Sequence, residues 1–209
     1  MGRKVSVAGT VSEVCMGFNT RKLTPALGLL AVAWFLAMYS VAMSLDSVYV
    51  FGENYLSDLG VGEGAWAFNS GVIGAGVLFI LFGRSAVAPA LGRGRVQKVA
   101  VSLLVLAAAF LVCVGIFTED AGDLHGIVSY GFFLTMLVAL GVLTWSLMTS
   151  KALGRSGAYT TLAVFIFGIA LLPMGGDPLS ETLAVLGMVG WGALLSALLL
   201  LKEHGRRIP

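Results

Sequence analysis

Six long apolar stretches constrain this chain more than any other feature: Pro25–Ser44, Ala67–Gly83, Val99–Phe117, Gly126–Met148, Tyr159–Met174 and Thr182–Leu201. A helix needs about 20 apolar residues, within a range of about 17–25, to cross the hydrocarbon core of a bilayer. The second and fifth stretches are short for that task, so their ends are expected to run into the adjoining polar turns. Lipid offers no water to bare backbone groups, so each crossing must be a helix rather than an open strand. With 11% charged residues and 58% hydrophobic ones, the chain falls well below the roughly 25% charge of a soluble domain. The sequence therefore predicts an all-α polytopic membrane protein, with six transmembrane helices in one bundle over residues 25–201. A polar segment at 1–24 precedes the bundle, and a basic tail at 202–209 follows it.

Charge then orients the bundle. All 13 Lys and Arg residues fall in the N-terminal segment, the second loop (Arg84, Arg93, Arg95, Lys98), the fourth (Lys151, Arg155) or the tail. The first, third and fifth loops carry none. They hold Asp46, Glu53, Asp58 and Glu63, then Glu119, Asp120 and Asp123, then Asp177 and Glu181. The positive-inside rule puts both termini in the cytoplasm and the acidic loops outside, in a multi-pass protein of the cell membrane. The basic ends suit anionic headgroups, so membrane lipid rather than nucleic acid is the expected partner. The N-terminal segment lacks the short apolar core and cleavage site of a signal peptide, so the first helix reads as a retained anchor. Val5–Phe18 reads as an amphipathic or loosely ordered segment on the basic membrane surface. Cys15 and Cys113 are not expected to pair.

Glycines cluster at Gly71, Gly74 and Gly76 and again at Gly187, Gly190 and Gly192. Small residues let helix backbones approach closely in lipid. They are read as contact faces within the bundle, with a homo-oligomer or passage of a ligand as the alternatives. They are not phosphate cradles, since no strand precedes them.

The outer loops concentrate the chemistry. Phe51–Gly60 mixes aromatic and polar residues and suits a re-entrant or interfacial segment. Asn69 follows it, positioned to hydrogen-bond a neighbour or hold a ligand. Glu119, Asp120, Asp123 and His125 fall within seven residues, and Ser129 lies one turn beyond His125 on the same helical face. Such a histidine is a metal ligand or a general base, or simply a helix cap. Asp120, Asp123 and His125 are the candidate metal ligands. Oxygen donors alone favour Ca²⁺ or Mg²⁺, and His125 shifts the choice toward Zn²⁺. Ser57, Asp58, Asn69 and Glu181 are the candidate ligand pocket, with Asp58, Glu119 and His125 as candidate catalytic groups. Asp177-Pro178 reads as a helix start, Asp as cap and Pro in the first position. Glu181 then falls in the first turn, where the dipole favours an anion.

At these residues the chain resembles the prokaryotic and archaeal membrane proteins grouped as domain of unknown function 998. The landmarks are Leu56-Ser57-Asp58-Leu59-Gly60, Phe68-Asn69, Gly115-Ile116-Phe117-Thr118-Glu119-Asp120, His125 and Leu179-Ser180-Glu181. The family often has Pro at the place of Thr118 and Glu-Arg at that of Glu181-Thr182. The resemblance implies no activity. Through distant similarity to eukaryotic FRAG/DRAM-type six-helix proteins, it suggests a lipid-facing role. The expected function is an outer pocket of Asp58, Asn69, Asp120, His125 and Glu181 holding a divalent cation or lipid headgroup. The alternatives are a metal-dependent hydrolase or transferase acting on outer-leaflet lipid and a small transporter. Helix centres without charge argue against the transporter.

Overall fold

The computed structural model describes residues 23–150 and 152–205. The N-terminal segment, including the amphipathic reading of Val5–Phe18, and the last four residues lie outside the described residues. The helices are α1 (Ala26–Leu45), α2 (Ala65–Leu91), α3 (Arg95–Ile116), α4 (Asp123–Ser150), α5 (Gly154–Leu171) and α6 (Pro178–Gly205). Each is long and apolar enough to cross a bilayer, α5 by continuing through a 3-10 turn at Leu172–Met174. The protein is an integral membrane protein built as a six-helix bundle.

The helices form a ring. Each packs on the next in sequence, and α6 returns to pack on α1. Antiparallel neighbours joined by short loops give this arrangement directly. The exposed side of α4 carries Ile127, Tyr130, Leu134, Val138 and Trp145, while Val128, Phe132, Met136, Leu140 and Leu143 are buried. The outward face is as apolar as the inward one, which only lipid can solvate. One core, including Phe82, Leu104, Leu143 and Trp191, fills the half of the bundle near the basic loops. A second, including Phe35, Tyr39, Leu59 and Phe68, joins α1 and α2 to the first acidic loop.

Polar ties fix the ring where apolar packing alone is indifferent in lipid. The Trp191 indole donates to the Thr161 hydroxyl at 3.1 Å, joining α6 to α5. The Trp34 indole donates to the Ser70 carbonyl at 3.0 Å, joining α1 to α2. The seam between α6 and α1 is made by Ser196. Its hydroxyl accepts the Leu29 N–H at 3.1 Å and donates to the Pro25 carbonyl. It thus sits inside the first turn of α1, between a donor and an acceptor that would otherwise bond each other. Gly28 leaves the room: a Cβ there would lie 2.9 Å from that hydroxyl oxygen.

The second span runs further than its apolar stretch, passing Arg84 to end at Leu91. Arg84 is exposed while Phe82, Ala86 and Val87 are buried, so the charge sits on the outer face of a helix that continues past it. Pro89 lacks an N–H and cannot bond the carbonyl one turn back. A π turn over Gly83–Val87 widens the helix just before it. The Ser85 carbonyl, four residues before Pro89, accepts the Thr24 hydroxyl at 3.2 Å instead.

Candidate functional site

The three acidic loops meet at one end of the bundle. In the first, the Asp46 carboxylate accepts the N–H groups of Val48 and Tyr49 at 3.1 and 3.2 Å and turns the chain out of α1. A 3-10 turn follows over Leu56–Gly60. Its start is closed by Asp58, which accepts the Tyr55 N–H at 3.0 Å. Leu56 and Leu59 are buried, so this loop dips into the end of the bundle, the re-entrant of its two expected forms. Asn69 holds it from α2 by donating to the Gly60 carbonyl at 2.8 Å. Glu181 holds it from α6, where its Oε2 accepts the Leu56 N–H at 2.8 Å. Asp177 caps α6 as predicted, accepting the Ser180 N–H at 2.7 Å.

Asp58, Glu119 and Glu181 thereby become neighbours although they come from three separate loops. Burial pushes the Glu119 carboxyl up to about 7, helped by a hydrogen bond to Asp58 and by the charges of Asp58 and Glu181. Burial likewise pushes the Tyr49 phenol up, helped by its 3.4 Å contact with the Tyr39 hydroxyl and by the same carboxylates.

His125 stands in the first turn of α4. Its Nδ1 lies 2.7 Å from the Phe117 carbonyl oxygen. Its Nε2 lies 3.2 Å from the Ser129 hydroxyl, one turn along the same helix. Both residues line a cleft of about 590 Å³ between α4, α5 and α6. One end of the cleft is polar, with Tyr55, Ser57, Glu119, His125, Ser129 and Glu181. The rest is apolar and descends along Leu134, Leu137 and Leu140 of α4, Val164, Phe167 and Leu171 of α5, and Ala184 and Met188 of α6. Tyr130 and Leu134, which also line it, are 76% and 65% exposed on the outer side of α4. A smaller cavity of about 110 Å³ lies in the centre of the ring and shares Ser57, Ser129, Phe133, Met136, Glu181 and Met188 with the cleft.

The residues singled out in the sequence divide by position. Ser57, Glu119, His125 and Glu181 line the cleft, and Asp58 backs them through Glu119. Asn69 lines neither cavity and acts on the loop instead. Asp120 and Asp123 are exposed, and Asp120 accepts the Thr118 hydroxyl. Among the described residues no three His, Cys, Asp or Glu side chains are grouped as a metal site requires. Sequence reasoning placed Ser129 beside His125 but gave no sign of the apolar half of the cleft. Phe167, Leu171 and Met188 look like any other lipid-phase residues until the helices are set side by side. Within the two runs, Gly76 and Gly192 sit at close contacts between helices of the chain, while Gly190 faces open space. A Cβ at Gly76 would lie 2.6 Å from the Val112 side chain and 2.9 Å from the Ala108 carbonyl on α3, and one at Gly192 would lie 2.6 Å from Phe79 on α2.

No curated protein and no solved structure matches this chain. The profile described as Protein of unknown function (DUF998) matches residues 29–201, and the chain belongs to that family.

Proposed function

We propose that this protein binds an amphiphilic lipid of the cell membrane in the cleft between α4, α5 and α6. The headgroup meets Ser57, Glu119 and Glu181, and an acyl chain lies along Leu137, Phe167 and Met188. The observation that carries this reading is the gradient within one cavity: polar at the end of the bundle, apolar toward its middle, and flanked by the exposed side chains of Tyr130 and Leu134. Its volume is within the range of about 300–1,000 Å³ usual for small-molecule sites. Carboxyl groups at the polar end accept hydrogen bonds and repel dense negative charge. They favour a headgroup with hydroxyl or ammonium donors over a bare phosphate monoester. By the positive-inside rule the cleft lies on the outer side, so the lipid comes from the outer leaflet.

Native mass spectrometry of protein purified in mild detergent tests this. The wild type is expected to retain lipid, and Ala184→Trp, which fills the cleft, to lose it while staying folded by thermal melting. Equal retention of the same lipid by Ala184→Trp sinks the reading.

A further inference from the structure

We propose that Ser129 and His125 are a nucleophile and its general base, and that the cleft is an acyl-transfer site for an ester-linked lipid. The proposal rests on the reading that the cleft takes a lipid.

The tautomer of His125 follows from its partners. A carbonyl oxygen can only accept, so the 2.7 Å contact with Phe117 requires the proton on Nδ1. In the neutral ring Nε2 then carries a lone pair, and the 3.2 Å contact is a hydrogen bond donated by the Ser129 hydroxyl. A nucleophile bonded to a base, with the base oriented by a third group, is the arrangement that activates serine. Hydroxyls in helices ordinarily bond elsewhere. Ser40, Ser70, Ser85, Thr144, Thr149 and Thr160 each donate to a carbonyl three or four residues back. Ser129 instead points its proton at an imidazole, and does so where the cleft and the central cavity share a wall. The hydroxyls of Tyr55 and Ser57 line the same cleft and are the donors available to an oxygen that gains charge.

The step balances without an outside oxidant or reductant. Ser129 Oγ bonds to the ester carbonyl carbon as its proton moves to His125 Nε2. The carbon–oxygen bond to the leaving alcohol breaks, and Nε2 returns the proton to that alcohol. Water, or a second alcohol, then takes the acyl group from Ser129 by the same route.

Organophosphorus fluorides test the pair directly, because they phosphorylate an activated serine with loss of fluoride. Protein in detergent is treated with diisopropyl fluorophosphate and, separately, with a long-chain alkyl fluorophosphonate, and the adduct is mapped by peptide mass spectrometry. Both probes are expected to modify Ser129. Ser129→Ala is expected to abolish the adduct. His125→Asn keeps an amide donor for the Phe117 carbonyl and removes the base, so labelling should slow by about 100-fold or more while the melting temperature is retained. No adduct at Ser129 with the small probe, or wild-type labelling in His125→Asn, overturns the pair even if lipid co-purifies. Labelling by the small probe alone overturns the lipid as substrate and leaves the pair standing.

Discussion

Glu119 shows how one side chain couples this end of the bundle to solution pH. Its folded value of about 7 lies above the ordinary 4.5. Between those values the folded chain keeps a proton that the unfolded chain has lost. That share of stability is present in full at the acidic end and declines as pH rises from about 4.5 to about 7, after which it is flat. The wild type is therefore expected to melt at lower temperature at about pH 8 than at about pH 5, and Glu119→Gln to lessen that difference. A variant whose pH profile overlays the wild type contradicts the assignment. At this scale the sequence was readable by residue type: carboxylates and a histidine in lipid-flanking loops stood out against an apolar background. Their partners were not readable. Glu181 has an ordinary reason to sit in a first helical turn, and nothing in its neighbourhood along the chain indicates the Leu56 N–H that it accepts across 125 positions.

At the scale of helices, close approach is set by what is missing. Gly76 lets α2 lie against the Ala108–Val112 stretch of α3, with no space for a Cβ beside the backbone there. Backbone cannot swing aside as a flexible side chain can. Gly76→Val should cost roughly 1–3 kcal/mol through overpacking, read as a lower melting temperature in detergent and poorer recovery of monodisperse protein. Gly190→Ala serves as the control, since a Cβ there meets nothing within 4 Å. The number and order of the helices were legible because lipid demands a run of apolar residues of fixed length. Their ends were less so. The first Arg after the second stretch looks like a stop, yet a charge on the outer face of a helix end costs little and α2 carries on to Leu91.

Over the whole molecule, alternation of loop charge and alternation of helix direction are the same fact. Cysteine accessibility checks the orientation. In a Cys15→Ser/Cys113→Ala background, Glu53→Cys should react with an impermeant maleimide on intact cells, and Arg93→Cys only after permeabilisation. The reverse pattern turns the protein over. What the sequence could not convey is which loops touch and where helices leave space. The meeting of Asp58, Glu119 and Glu181 and the cleft beside α5 depend on angles between helices that no local pattern encodes.

The seam made by Ser196 bears on how the protein is born. The opening turn of α1 leaves the ribosome long before α6, which brings the hydroxyl that bridges it. Until α6 is in place, the Leu29 N–H and the Pro25 carbonyl are free to bond each other, and Ser196 afterwards inserts between them. Insertion of the serine is thus a late step that widens a turn already able to close, and a chain that stops before α6 keeps the tighter turn.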